Sequence, residues 1–443
     1  MPSDTTNSTA AASPLMTRLI RAASWTLAGA VGSQVLGFLG GLVAARMLGG
    51  AGFGQLSAVR GLLLAFGLFS GAGLGLAAVR YVAEFRERDT RQLAQRLRFL
   101  QRLSWLCAGA TTLIVAAAAS YMAHDWLGQG ELTRTIWLGC PLVLFNGLST
   151  IQSGVLGGLE KFPAIARGIA VESIGNFIGV VIGIKLAGID GALVGASIAA
   201  AFAWYYRERV IAGQTKLLRP VVAATAFDKD WLLHEAMPFV VAGALSQPFE
   251  WYARLSLVQQ PDGFAQLGYF SAAFTCAQVI VFLPRQFTAP GVALLTGLAD
   301  EAGIDAAVKV AKLKFRLLML LASLVAIPML LASGFIMQLF GFPVGGDVLA
   351  VLVLANLAAV CSGFFRTLLS ATGKIWWQCA QVAVWSAVML LTWLTLERFG
   401  ALGLACAYLA AFAVVLFPQG RAARAALLAG HDGSRIVTAA AAR

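Results

Sequence analysis

The chain alternates long apolar runs with short polar breaks, and that alternation sets the fold. Twelve runs, over 22–45, 54–79, 103–123, 135–158, 167–187, 190–206, 235–257, 265–290, 315–338, 347–370, 376–396 and 400–418, reach or approach the length of a membrane span. A helix needs about 20 residues to cross the hydrocarbon of a bilayer. The pattern predicts an all-α polytopic membrane protein with about twelve transmembrane helices. One break is unusual: Arg46-Met47-Leu48-Gly49-Gly50-Ala51-Gly52-Phe53-Gly54 packs four glycines and a single cation between the first two spans.

Composition agrees with the pattern and excludes a soluble enzyme. Of 443 residues, 59% are hydrophobic and 12% charged, about half the charged share of an ordinary soluble domain. The net charge of +12 could suggest nucleic acid, but the placement of the cations argues otherwise. All of the 33 Lys and Arg except Arg46, Arg60, Arg134, Lys185, Arg254, Arg285, Arg366 and Arg398 fall on one side of the twelve-span layout. That bias places both termini in the cytoplasm. Residues 1–17 read as a disordered cytoplasmic tail, followed by a first span too long for a cleaved signal peptide. All six cysteines lie within spans at spacings that suit neither a disulfide framework nor a metal site.

A repeat divides the spans. Arg46, Phe53, Lys161 and Gly191-Ala192 recur in order, at nearly constant separation, as Arg254, Phe264, Lys374 and Gly400-Ala401. The expected organisation is a six-helix half over 18–206, a cytoplasmic linker over 207–231, a second six-helix half over 232–420 and a cytoplasmic tail over 421–443. Within residues 84–102, Leu93, Leu97 and Leu100 recur at helical spacing among cations, which predicts an amphipathic helix on anionic inner-leaflet lipids.

Two segments carry a resemblance. Arg-x-Leu-Gly-x-x-x-Phe-Gly at 46–54, then Gly-Leu-Gly-Leu and Arg-Tyr-x-Ala-Glu within 73–84, resemble the start of the polysaccharide-biosynthesis flippases of the multidrug/oligosaccharidyl-lipid/polysaccharide (MOP) superfamily. Gly50-Ala51-Gly52 departs from the Pro and acidic residues common there, and predicts a more flexible hinge. The resemblance implies two MATE-like halves enclosing a cavity and moving a polyprenyl-pyrophosphate-linked oligosaccharide by alternating access. The product would be a cell-surface polysaccharide: lipopolysaccharide O-antigen, capsule or exopolysaccharide. It further implies a bacterial inner-membrane location, polysaccharide polymerase or export machinery as partners, and no enzymatic activity.

Intramembrane charges are the sharpest candidates, because each costs several kcal/mol unless it faces a partner or a cavity. Arg60, Arg254, Arg285, Arg366 and Glu250 are candidate substrate contacts, guanidinium being a bidentate match for phosphate. Arg60 has no carboxylate within one turn. Glu250 and Arg254, spaced i, i+4, could instead neutralise one another, and Arg285 and Arg366 could snorkel to a surface. Glu172 and Glu250 are candidates for coupling to a proton or sodium gradient; no other cofactor is expected. Arg46, Gly49, Phe53 and Gly54 form a candidate gate. The alternative reading is a MATE-type cation-coupled multidrug antiporter, which would want a carboxylate in the first span, where there is none. No phosphate-binding Gly-Lys-Ser/Thr loop is present, so an ATP-driven pump is not indicated.

Overall fold

The computed structural model describes residues 7–69, 75, 78, 79, 82, 90–216, 237–286, 304–371 and 375–429, and among them every regular element is a helix. The elements are α1 (Asn7–Phe69), α2 (Thr90–Tyr121), α3 (Leu132–Gly158), α4 (Phe162–Lys216), α5 (Met237–Val258), α6 (Gly263–Gln286), α7 (Ile304–Leu331), α8 (Ser333–Leu339), α9 (Gly346–Ala371), α10 (Ile375–Leu396) and α11 (Gly400–Ala429). A five-residue π turn, Met122–Trp126, follows α2, and a 3-10 turn, Glu397–Phe399, joins α10 to α11.

Seven stretches are long and apolar enough to cross a membrane. Three of them bend and so accommodate two crossings each: Gly29–Gly67 at Gly49, Phe162–Gln214 at Ala187 and Gly188, and Ala380–Ala422 at the 3-10 turn. Helices α3 and α5, of 27 and 22 residues, have spanning length but lie outside those seven stretches, being more polar. Together these segments agree with the expected all-α polytopic fold; the described residues do not by themselves fix the number of crossings at twelve.

Three boundaries differ from expectation. Helix α1 starts at Asn7, not near 22, because Ala10, Ala11 and Ala12 are strong helix formers. Helix α4 runs through Lys216, so 207–216 is helix and not open linker. The Ala and long-chain residues there, and Arg207 anchoring the last turns, suit a continued helix. The glycine-dense break at 46–54 contains no loop: helical geometry fails only at Gly49, with φ 69° and ψ −176°. That conformation is strained for any residue with a Cβ. The Gly-Leu-Gly-Leu and Arg-Tyr-x-Ala-Glu motifs lie mostly outside the described residues.

The described chain forms two compact units. The first contains residues 1–40, 63–123 and 130–240; the second contains 41–62, 124–129 and 241–443. In the first unit α4 folds back on itself across Gly188, and Gly179 faces Gly195 while Gly183 faces Gly191. A Cβ on any of the four would strike the opposing backbone, which is how small residues let membrane helices approach closely. The amphipathic stripe of α2 is used differently from its expected role. Leu97 and Leu100 are buried with Ala78, Val82, Ile151 and Val155, with Leu159 and Ile211 packed around them. Their apolar face therefore meets protein and not lipid, while Leu93 lies among side chains that are not described. Helix α5 continues through Pro248, as membrane helices can where neighbouring groups satisfy the freed carbonyl.

Candidate functional site

All the sequence-derived candidates except Glu172 fall in the second unit. The site is built there from three groups of residues.

The first group is the crossing of two glycine-rich segments that the repeat had paired. Gly54 lies against the carbonyl of Phe264, and Gly268 lies against the carbonyl of Gly50. A side chain at Gly54 or Gly268 would collide with backbone, so the contact exists only with glycine there. Around it, Phe53 is 6% exposed with its ring 6.4 Å from Phe342, and Tyr269 packs edge-on against Phe342 at 5.1 Å. Arg46 Nε donates to the Leu339 carbonyl at 2.6 Å. Of the four candidate gate residues, Phe53 and Gly54 belong to this aromatic and glycine contact and Arg46 bonds Leu339. Gly49 instead marks the bend of α1, and a Cβ there would meet nothing within 4 Å.

The second group surrounds Arg254. Its Nη2 donates to Glu250 Oε1 at 2.7 Å and to the Tyr408 hydroxyl at 3.3 Å. The guanidinium also lies over Phe274 at 5.1 Å and Phe270 at 5.7 Å, where the ring faces attract a cation. Phe270, Phe274 and Trp385 all pack on Tyr408. Glu250 and Arg254 do pair with one another, yet Arg254 Nε is buried without a hydrogen bond among the described residues.

The third group lines a cavity of about 250 Å³ bounded by α6, α7, α9 and Phe412 of α11. Arg285 and Arg366, from different helices, both face it, and Lys314 joins them. Arg60 is half-buried in the second-unit part of α1 and does not line this cavity.

Glu172 lies in the first unit, where Arg207 Nη2 donates to its Oε2 at 2.8 Å. Arg207 is 2% exposed and its shaft packs against Gly168, where a Cβ would crowd the guanidinium. The carboxylate that stands alone in the local sequence is therefore ion-paired 35 residues along the chain. Three contributors were missed at the level of sequence. Arg207 reads as a surface anchor, Lys314 as part of a basic surface run, and Tyr408 as one aromatic among many. Only across-helix geometry distinguishes them.

These features belong to a multi-span helical membrane protein, and its fold is that of solved MOP superfamily transporters. The structure superposes on an inward-facing multidrug resistance MATE family transporter of the MOP superfamily with a TM-score of 0.75. The two are 11% identical, with 93% of this chain and 99% of that one covered. It also superposes on a MOP superfamily transporter from Pyrococcus furiosus, described as having a binding pocket of reverse polarity. There the TM-score is 0.68 and the identity 12%, with coverage of 91% and 96%. Residues 19–284 match the family described as polysaccharide biosynthesis protein, and the chain belongs to that family. It is 25% identical to the Lipid III flippase of Escherichia coli (strain K12) over 423 residues, 89% of this chain and 96% of that protein. It is also 29% identical to the EPS I polysaccharide export inner membrane protein EpsE of Ralstonia nicotianae, over 34% of this chain and 36% of that one. The chain is thus a multi-span membrane protein of the polysaccharide biosynthesis protein family, and the relatives named here are a flippase and a polysaccharide export protein.

Proposed function

We propose that the protein flips a polyprenyl-pyrophosphate-linked oligosaccharide across a bacterial inner membrane, by alternating access, for cell-surface polysaccharide assembly. The observation that carries this reading is the polarity of the cavity in the second unit. Arg285, Lys314 and Arg366 line it, and no Asp or Glu does so among the described residues. Such a lining favours an anionic headgroup and disfavours the cationic drugs of a multidrug antiporter. The match to a flippase along nearly its whole length supports the same class.

In this reading Arg285 and Arg366 meet the pyrophosphate, Arg60 contacts the substrate elsewhere on the transport path, and Arg254 with Glu250 orients the neighbouring aromatic wall. Arg46, Phe53 and Gly54, with the bend at Gly49, serve as the gate. Glu250 is the carboxylate we retain for coupling to a proton or sodium gradient, since its pair sits in the unit that carries the cations. Glu172 serves to neutralise Arg207. Both termini are cytoplasmic. Anionic inner-leaflet lipids and the polysaccharide polymerase or export machinery are the expected neighbours.

The test is genetic. Expressed in a bacterium lacking its own oligosaccharide flippase, the wild type restores surface polysaccharide, and Arg60→Ala reaches the membrane without restoring it. Resistance to cationic drugs without restored polysaccharide would replace this reading with the antiporter.

A further inference from the structure

We propose that Arg285, Lys314 and Arg366 form a self-contained diphosphate pocket within the second unit, with Lys314 as its inner cation. This rests on the flippase reading and deepens it, by adding a residue and by confining headgroup recognition to one unit. Arg285, Lys314 and Arg366 project into the same cavity from α6, α7 and α9, and all three helices belong to the second unit. An anion held there need not change partners when one half of a transporter moves against the other.

Three observations carry the assignment. Lys314 Nζ is buried and makes no hydrogen bond among the described residues. An ammonium withdrawn from water without an acceptor is costly, and an incoming phosphate oxygen relieves that cost. Arg285 and Arg366 line the cavity together and act on one another as like charges. Converging like charges make the cavity favourable for an anion. Finally, Lys314 is held in register: Phe315 beside it packs on Phe364 at 5.0 Å and on Phe365 at 6.3 Å, and Cys361 Sγ contacts Met319 Sδ at 3.3 Å. Both contacts tie α7 to α9. Two guanidinium forks and one compact ammonium suit two linked phosphates, with Lys314 as the point charge and the arginines as bidentate donors.

The experiment measures binding of inorganic pyrophosphate and inorganic phosphate to the full-length protein in lipid nanodiscs, by calorimetry at fixed ionic strength. Wild type and Arg398→Gln bind pyrophosphate more tightly than phosphate. Lys314→Gln and Arg366→Gln each weaken pyrophosphate by about tenfold or more, the size expected for one lost charge-assisted contact. Lys314→Arg keeps most of the affinity, which separates a charge role from a folding defect. A polyprenyl diphosphate placed in the nanodisc competes with the free anion, identifying a lipid-borne headgroup as the occupant. Unchanged pyrophosphate affinity in Lys314→Gln and Arg366→Gln, or absence of that competition, overturns the pocket. If both variants also support normal glycan export, the flippase reading stands without the pocket. Pyrophosphate binding without glycan export leaves the pocket and removes the flippase reading.

Discussion

Arg207 and Arg366 are both guanidinium groups among membrane helices, and the two units treat them in opposite ways. In the first unit Arg207 is 2% exposed and held at 2.8 Å by Glu172. In the second unit Arg366 shares a cavity with Arg285 and Lys314. A charge that is buried and matched fixes two legs of a hairpin. Charges of one sign gathered around open space create a field for something else. The same contrast runs through the close glycine contacts. In the first unit such contacts join the two legs of the α4 hairpin, Gly179 to Gly195 and Gly183 to Gly191, and also set Gly154 of α3 against Gly75. In the second, Gly50, Gly54 and Gly268 bring α1 against α6. The first unit has a cavity too, of about 320 Å³, but there Glu208 joins Arg98 in the lining, whereas the charged residues lining the second unit's cavity are all cations.

The largest effect should come from breaking the matched pair. Glu172→Leu strands the buried Arg207 and should cost about 3–5 kcal/mol of stability, whereas replacing both partners with Leu should be nearly neutral. Thermal unfolding in detergent of the single and double variants checks this. A double variant as unstable as the single would mean that Arg207 does more than neutralise Glu172.

The contrast between the units was only half legible in the sequence. Spans were readable because bilayer thickness sets their length, and residues 46–54 stood out because four glycines and one arginine are rare between apolar runs. The repeat related the segments around Phe53 and Phe264, but the contact of Gly54 with Phe264 and of Gly268 with Gly50 appears only in the structure. Partners across a fold were not readable. Glu172 looked isolated because its cation lies 35 residues away on the returning leg of α4. Lys314 looked like a surface anchor because positive-inside reasoning counts cations by position along the chain and is blind to the direction of a side chain. Leu97 and Leu100 looked lipid-facing because amphipathic periodicity reports that one face is apolar, not what covers it.

A smaller effect on stability, with a larger one on transport, is expected at the glycine crossing. Gly54→Val places a side chain where the Phe264 carbonyl sits. It should cost about 1–3 kcal/mol by overpacking and prevent the crossing from closing. Glycan export should fall to background while the protein still inserts. Export at the wild-type rate would show that the contact is dispensable, and would remove Gly54 from the gate.

The most direct measurement compares transport of a lipid-linked oligosaccharide in proteoliposomes by two variants, Arg366→Gln and the double replacement of Arg207 and Glu172 by Leu. The cavity of the second unit predicts that Arg366→Gln loses about tenfold or more of the rate, one charge-assisted contact, while the double variant transports near the wild-type rate. Normal transport by Arg366→Gln together with a dead double variant would contradict the account, moving the working charges to the first unit and leaving the second as the scaffold.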